Sequence, residues 1–272
     1  MSRPDWVPED VDMTVPSPAR MYDALLGGAF NFEADRRAAA MAVQLVPDLA
    51  DVAHSSRAFL RRALRFLLDA GVRQFIDIGA GIPGAGSTHE LAQRSAPDAR
   101  VVYVDIDPVA VAHGQAILAG NDRTVAISGD LRHPEQLLAD PVLLRTVDLT
   151  QPVGVLLVAV LHLLTDQDQP DRVVATIRDA VSPGSYLVIS HLSSARRPDE
   201  AAKLAAQSRE LGVPITFRSE AEIAGYFTGL RLVEPGLVDL PSWRPESAGD
   251  PAENLAEDPE RSLGMAGVGL RP

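Results

Sequence analysis

One stretch constrains the fold of this chain more than any other. Residues 74–91 have the sequence QFIDIGAGIPGAGSTHEL, in which a short apolar run with Phe75, Ile76 and Ile78 ends abruptly in glycines. A helical pattern follows, so the stretch predicts a strand, a tight turn and a helix in succession. In open α/β sheets, ligands bind outside the carboxyl ends of the strands, where such a turn lies. The stretch therefore predicts the sheet and the position of its ligand site together.

The glycine turn also indicates which ligand it suits. Gly79, Gly81 and Gly84 have the spacing G-x-G-x-x-G, which lets a ligand approach the backbone closely. Asp77 places a carboxylate at the end of the strand, and Pro83 removes one N–H from the turn. A pyrophosphate requires N–H groups and no negative charge beside it, whereas S-adenosylmethionine carries an ammonium and a sulfonium and no phosphate. The turn favours S-adenosylmethionine; the alternative is a turn that only links strand to helix.

Composition and charge exclude several classes of protein. The chain has 272 residues, and it contains no cysteine, which rules out disulfides and thiolate metal sites. Its net charge of −12 disfavours sequence-independent binding to nucleic acid. No apolar run approaches the roughly 20 residues that span a bilayer, and the first residues lack the pattern of a signal peptide. We expect a cytoplasmic protein with no nucleic-acid or membrane partner, and no spacing of its acids requires a metal.

Helical patterns fill the chain before the first strand. Gly27 and Gly28 end the first helix, and Asn31 is expected to cap the second. We predict a helical extension at residues 1–72 and a ligand-binding domain at residues 73–272. The three expected helices lie at residues 21–25, 34–46 and 52–70.

Strands and helices alternate after the glycine turn, which predicts a doubly wound, mostly parallel α/β sheet. A polar segment at residues 242–260 is expected to form a mobile loop. Including the first strand, seven strands are expected, at residues 75–78, 101–104, 125–128, 153–160, 186–190, 230–234 and 268–270. Helices are expected at residues 88–94, 109–118, 134–144, 168–181, 198–211 and 219–227.

Polar residues follow several of these strands. Asp77, Asp105, Asp130, His162 and His191 all stand at predicted strand ends, so we expect them to line one crevice. A single aspartate at such a position is commonly a helix cap, but a series of polar residues at successive strand ends favours a binding site.

Two of these aspartates have specific expected partners. Asp105 lies 24 residues after Gly81, where a carboxylate can accept hydrogen bonds from both ribose hydroxyls of an adenosine. NAD enzymes also use an acid here, so Asp105 does not separate the two cofactors. Asp130, followed by Leu131, is placed to accept a hydrogen bond from the exocyclic amine of adenine. The neighbouring Asp107 is expected to cap the following helix.

The chain resembles a bacterial family of S-adenosylmethionine-dependent methyltransferases long listed as a domain of unknown function. The similar blocks are PSPARMYDALLGGAFNFEADR, QFIDIGAGIPGAGSTHE, VVYVDIDPVAVAHG, LLVAVLHLL, GSYLVISH and a late WRP. The resemblance implies a class I methyltransferase fold with an N-terminal helical extension. It also implies contacts to the cofactor. The methionine part would contact Asp77, Gly79, Ala80 and Gly81, the ribose Asp105 with Ile106 beside it, and the adenine Asp130 and Leu131.

Methyl transfer from a sulfonium needs an acceptor held at attack distance and, for a hydroxyl or amine, a base. His162 and His191 are the candidate catalytic bases, with a purely structural function as the alternative for each. Tyr22 and Asn31 would reach the cofactor if the N-terminal helices close over the site as a lid. Otherwise they only pack and cap those helices.

The most direct hypothesis is a methyltransferase with a small-molecule acceptor. After the fourth strand the sequence is AVLHLL, which lacks the Asn-Pro-Pro-aromatic run associated with methylation of amino nitrogens. Two alternatives stay open from the sequence: an NAD(P)-dependent oxidoreductase and a non-catalytic S-adenosylmethionine-binding regulatory protein. Asp77 and Pro83 disfavour the oxidoreductase because they occupy the expected phosphate position.

Overall fold

The N-terminal segment is helical, as predicted. The computed structural model describes residues 4, 6–9, 11–84, 86–245 and 261–272. It begins with helices α1 (Pro18–Leu25), α2 (Glu33–Leu45) and α3 (Leu49–Asp69). The expectation that Asn31 caps α2 is wrong, because Phe32 occupies the N-cap position and its N–H donates to Asp35 Oδ2 at 2.7 Å. Residues 242–245 of the predicted mobile loop are described, and there Trp243 is fully buried, so a mobile loop was the wrong expectation for this part. Residues 246–260 of the predicted loop lie outside the described part of the chain.

The chain then alternates between strands and helices around one sheet. The strands are β1 (Gln74–Ile78), β2 (Arg100–Asp105), β3 (Thr124–Ser128), β4 (Gly154–Val158), β5 (Tyr186–Leu192), β6 (Arg231–Leu232), β7 (Val238–Asp239) and β8 (Gly264–Leu270). The helices after β1 are α4 (Thr88–Ser95), α5 (Pro108–Ile117), α6 (Pro134–Leu138), α7 (Pro141–Thr146), α8 (Pro170–Ala180), α9 (Pro198–Glu210) and α10 (Glu220–Gly225).

The sheet has the order β3-β2-β1-β4-β5-β8-β6, and β7 pairs with β8. Strands β1 to β5 are parallel, whereas β8 runs antiparallel to β5. This confirms the mostly parallel, doubly wound α/β architecture. The described part of the chain adds one short strand to the seven predicted, β7, whose two residues are too few to give a sequence pattern.

The last strand is longer than its sequence suggests. β8 spans seven residues with the sequence GMAGVGL, and its glycines lower its strand propensity. In the structure, neighbouring side chains fill the space over all three of these glycines, and a Cβ on Gly264 would lie 2.6 Å from Leu240. A Cβ on Gly267 would lie 2.9 Å from Phe227, and one on Gly269 would lie 2.7 Å from Leu230.

One predicted helix is divided in two. Residues 134–144 were expected to form a single helix, but Asp140 instead caps a new helix, α7, by accepting hydrogen bonds from the N–H groups of Val142 and Leu143. Pro141 follows at the first position of α7, where its missing N–H costs no hydrogen bond.

Apolar side chains cover both faces of the sheet. Phe75 of β1 points toward α3 and packs with Phe59, Leu67 and Trp243. The opposite face carries a second core, whose buried members include Ile76, Ile78, Val155, Leu143 and Ile177. Because both faces are covered by protein, the carboxyl edge of the parallel strands is where a ligand can reach the strand ends.

Candidate cofactor and acceptor site

The glycine turn after β1 lies against the loops that follow β2 and β4. Gly79 has φ +69° and Gly81 φ +66°, conformations that favour glycine. The Gly79 N–H donates to the Val104 carbonyl at 2.8 Å. A Cβ on Gly79 would lie 2.2 Å from Val160 Cγ2, so only glycine fits there, whereas the space over Gly81 is open. Gly84, the third glycine of the pattern, has neither a close neighbour nor a positive φ, so the structure does not require glycine at this position.

Asp105, the last residue of β2, holds this turn in place. Its Oδ2 accepts a hydrogen bond from the Gly81 N–H at 2.7 Å, and its Oδ1 accepts one from the Asp107 N–H at 2.8 Å. Burial raises the pKa of the Asp105 carboxyl to about 6, although these N–H groups favour the charged form. Beside it, the side chain of Ile106 is 58% exposed, which is high for a large apolar residue. Asp105, Ile106 and Gly81 thus border one open space.

Asp77 lies at the base of the same site. Its Oδ2 accepts a hydrogen bond from Thr88 Oγ1, at the start of α4, at 2.6 Å. Burial raises the pKa of the Asp77 carboxyl, and the Thr88 hydroxyl counteracts that shift. No hydrogen bond to Asp77 Oδ1 occurs within the described residues, so this oxygen can accept one from a ligand.

The loop after β3 supplies Asp130 and Leu131. Arg132 holds both carboxylate oxygens of Asp130 at 2.6–2.9 Å and thereby lowers the pKa of that carboxyl. Leu131 is buried. The Gly129 N–H donates to the Asp105 carbonyl at 3.0 Å, which joins this loop to the end of β2. An ionised Asp130 retains acceptor capacity beside Arg132.

His191 lies within β5, not at its end, and both of its ring nitrogens have partners. Nδ1 lies 2.7 Å from the Leu192 carbonyl, and Nε2 lies 2.9 Å from the Arg218 guanidinium. Because the guanidinium can only donate, Nδ1 carries the proton and Nε2 accepts. Burial lowers the pKa of His191 to about 4. This geometry favours the structural alternative for His191, because neither nitrogen is available to remove a proton from an acceptor.

His162 has a different environment. It lies in the short helical turn Leu161–Leu163 after β4, and its Nδ1 is buried without a hydrogen-bond partner among the described residues. Burial, together with His191 and Arg218, lowers the pKa of His162 to about 3. Before this turn, Ala159 adopts φ +57°, an uncommon conformation for alanine. The loop after β4 therefore presents a neutral imidazole with an unpartnered nitrogen.

The two predicted site residues of the N-terminal extension make contacts inside it. The Asn31 amide donates to Asp23 Oδ2 at 2.8 Å and to the Gly28 carbonyl at 2.9 Å, and Arg36 donates to Asn31 Oδ1 at 2.8 Å. Asn31 thus stabilises its own turn, which favours the structural alternative. Tyr22 donates to the Ala53 carbonyl of α3 at 3.0 Å, and the structure leaves its ring half-buried.

A buried ion-pair network that the sequence did not predict joins this extension to the sheet. Arg20 donates to Asp35 Oδ2 at 3.0 Å and to Asp107 Oδ2 at 2.8 Å. Asp107 also caps α5 as predicted, because its Oδ1 accepts hydrogen bonds from the N–H groups of Val109 and Ala110. The only sequence signal for this network was the block that contains Arg20 and Asp35. That block did not indicate Asp107, which lies 87 residues after Arg20 in the chain.

This arrangement defines a class of protein. A sheet with parallel strands in the order 3-2-1-4-5 and an antiparallel strand beside β5, a glycine turn after the first strand and an acid after the second are the features of class I S-adenosylmethionine-dependent methyltransferases. The open space over Gly81, the exposed apolar surface of Ile106 and the carboxylate of Asp105 fit the adenosine part of S-adenosylmethionine.

The comparisons with known proteins agree and give the family. The profile of the S-adenosyl methyltransferase family matches residues 4–272, and the chain belongs to that family. It is 44% identical to a candidate methyltransferase from Thermobifida fusca YX, over 98% of this chain and 99% of the other, with a TM-score of 0.91. It is 34% identical to a DUF574 family protein from Streptomyces avermitilis MA-4680, over 96% and 99% of the two chains, also with a TM-score of 0.91. No curated protein matches the chain.

The protein is therefore an S-adenosylmethionine-dependent methyltransferase, and the NAD(P)-dependent alternative finds no support. Within the described residues, no helix combines the length and the apolar character that crossing a bilayer requires.

Proposed function

We propose that the protein methylates a small molecule held at the carboxyl ends of β4 and β5, next to His162. The observation that carries the proposal is the buried Nδ1 of His162, which has no partner among the described residues. Leaving such an atom without a hydrogen bond costs about 1–3 kcal/mol. A donor on the acceptor molecule, such as a hydroxyl or an amine, would satisfy it.

A groove of suitable size lies beside this position. It has a volume of about 330 Å³ and runs between α9 and residues 215–217, within the range of small-molecule sites. Thr216 lines the groove, and its N–H donates to the His162 carbonyl at 2.7 Å. Pro198, Ile215 and Phe217 give the groove apolar walls. The groove is open to solvent along one side, and its volume is sufficient for a small molecule.

The cofactor supplies a methyl group on a sulfonium, which is already activated for transfer. The contribution of the protein is then mainly to position the acceptor and exclude water. His162 is neutral at physiological pH and accepts a hydrogen bond from the acceptor, which orients the attacking atom. With a pKa of about 3, it is a weak base, so orientation is its main contribution.

The location of the transferred methyl group tests this proposal. The protein is incubated with tritium-labelled S-adenosylmethionine and an extract of the producing cells, and the products are separated by ultrafiltration at about 3 kDa. We expect new label in the low-mass fraction, and much less of it when the Asp105→Ala variant replaces the wild type at a cofactor concentration below its weakened affinity. Label recovered on protein or nucleic acid would refute the small-molecule acceptor.

A further inference from the structure

Arg57 is a cation of α3 that the site described above does not use. Its side chain is half-buried, and it makes no hydrogen bond or ion pair with any residue that the structure describes. The buried arginines of the same region differ from it. Arg62, also on α3, donates to the carbonyls of Trp243 and Leu240, and Arg20 is held by two carboxylates. A partly desolvated guanidinium without a partner indicates a position where an anion can bind.

The geometry of α3 places Arg57 at the level of the glycine turn. The chain reverses at Gly71, after which β1 begins at Gln74. About 18 Å of helix separates Arg57 from Asp69 at the end of α3. About 13 Å of strand separates Gln74 from Ile78 at the end of β1. Because α3 packs on the face of the sheet that carries Phe75 of β1, these two lengths bring Arg57 to the level of the carboxyl end of the strand, where the turn begins.

The electrostatic environment supports the same position. Burial raises the pKa of both the Asp77 carboxyl and the Tyr22 phenol, and the positive charge of Arg57 counteracts the rise in both. Arg57 is thus near both groups, yet no ion pair forms between Arg57 and Asp77. A cation and an anion that lie near each other without forming an ion pair leave room between them for a ligand that carries both charges.

We propose that Arg57 binds the carboxylate of the methionine part of S-adenosylmethionine, while Asp77 receives its ammonium group. The amino-acid end of the cofactor is a zwitterion, and this pair of residues complements both of its charges. A guanidinium is suited to a carboxylate because it donates two parallel hydrogen bonds. The inference rests on the cofactor, and it does not depend on the identity of the methyl acceptor.

Two cofactor analogues separate this function from a general effect on folding. S-adenosylhomocysteine has the carboxylate, and S-adenosyl-3-thiopropylamine lacks it but retains the ammonium group. Affinities of both are measured by calorimetry for the wild type, Arg57→Gln, Arg57→Lys and the control Arg65→Gln. Arg65 is an exposed arginine two turns further along α3.

We expect Arg57→Gln to bind S-adenosylhomocysteine about 10- to 100-fold more weakly, as for loss of a hydrogen bond to a charged group. Its affinity for the thiopropylamine should stay within about twofold of wild type. Arg57→Lys should recover part of the loss, and Arg65→Gln should match the wild type for both ligands.

Equal loss of affinity for both analogues in Arg57→Gln, or no loss for either, would overturn the proposal. Failure of the wild type to bind S-adenosylhomocysteine would instead refute the cofactor assignment. If Arg57→Gln does not fold, Arg57→Lys takes its place in the comparison. The proposal would then be overturned if the ratio of affinities for the two analogues were the same in Arg57→Lys as in Arg65→Gln.

Discussion

The guanidinium of Arg20 lies 2.8 Å from the carboxylate of Asp107, and both side chains are only 5% exposed. This ion pair connects the N-terminal extension to the residue two positions after Asp105, whose Oδ1 accepts the Asp107 N–H. The extension is therefore bound to the corner of the sheet that holds Asp105, the carboxylate expected to bind the ribose. Such a buried connection favours a fixed wall over a hinged lid, because opening would leave charges unpaired in a buried position.

Loss of Arg20 should destabilise the fold strongly. Removing one partner from a buried ion pair typically costs about 3–5 kcal/mol, and Arg20→Ala leaves two carboxylates, Asp35 and Asp107, without their cation. We expect a decrease of that size in the free energy of unfolding, measured by urea denaturation. The exposed pair of Arg37 and Glu33 on α2 provides the control, and Arg37→Ala should cost under about 1 kcal/mol. Equal effects of the two variants would contradict the assigned role of Arg20.

Cofactor affinity should depend on pH through Asp105. Its pKa of about 6 means that the carboxylate is protonated below that pH and ionised above it. Only the ionised form accepts hydrogen bonds from both ribose hydroxyls. We expect S-adenosylhomocysteine to bind about tenfold more weakly at pH 5 than at pH 7, as for a site one pH unit below its pKa.

Asp105→Ala is the matched variant for this titration. It should bind the cofactor about tenfold or more weakly at pH 7, because it loses hydrogen bonds worth roughly 1.5–3 kcal/mol each. Its remaining affinity should be nearly constant between pH 5 and pH 7. A wild-type affinity that does not change over this interval would show that Asp105 does not control binding.

The sequence predicted the parts of this molecule that depend on local patterns. The glycine turn, the acids in the last two positions of β1 and β2, and the buried parallel strand β4 each follow from residues close together in the chain. These local features were sufficient for the α/β architecture and for the cofactor.

The parts that the sequence did not predict depend on contacts between distant residues. Asn31 precedes a helix, as a capping residue does, but the carboxylate of Asp23 attracts its amide instead. His191 was placed at a strand end, but pairing with β8 extends β5 past it. Arg218, whose guanidinium occupies His191 Nε2, lies 27 residues further along the chain. The periodicity of apolar residues in a sequence does not indicate such long-range side-chain partners.

His162 should couple stability to pH. Its pKa is about 3 in the folded protein and about 6.5 in an unfolded chain. Below pH 6.5 the unfolded chain binds a proton that the folded protein does not, so stability decreases as the pH falls toward 3. Relative to His162→Leu, the wild type should lose about 2 kcal/mol of unfolding free energy between pH 7 and pH 5. A difference between the two proteins that stays constant over this interval would contradict the buried, neutral imidazole.

The same variant separates stability from catalysis. His162→Leu removes the unpartnered Nδ1 and keeps an apolar side chain of similar size, so at pH 7 the free energy of unfolding should be unchanged or higher. Methyl transfer to the low-mass fraction should nevertheless fall, while affinity for S-adenosylhomocysteine stays at the wild-type value. Full methyl-transfer activity in this variant would show that His162 is not part of the acceptor site.

The two ends of the glycine pattern should respond differently to alanine. In Gly79→Ala the new Cβ lies 2.2 Å from Val160 Cγ2 and the residue keeps φ +69°. A left-handed conformation alone costs roughly 1–2 kcal/mol for alanine, and relief of the clash must displace the turn from the cofactor. We expect at least tenfold weaker binding of S-adenosylhomocysteine.

Gly84→Ala is the control. Its new Cβ has no neighbour within 4 Å, so the affinity and the stability of this variant should match the wild type. Because the Val160 Cβ itself would lie 2.6 Å from the new Cβ in Gly79→Ala, only Val160→Gly removes the clash. It should restore part of the affinity in the Gly79→Ala background, and no recovery would mean that backbone strain alone explains the loss.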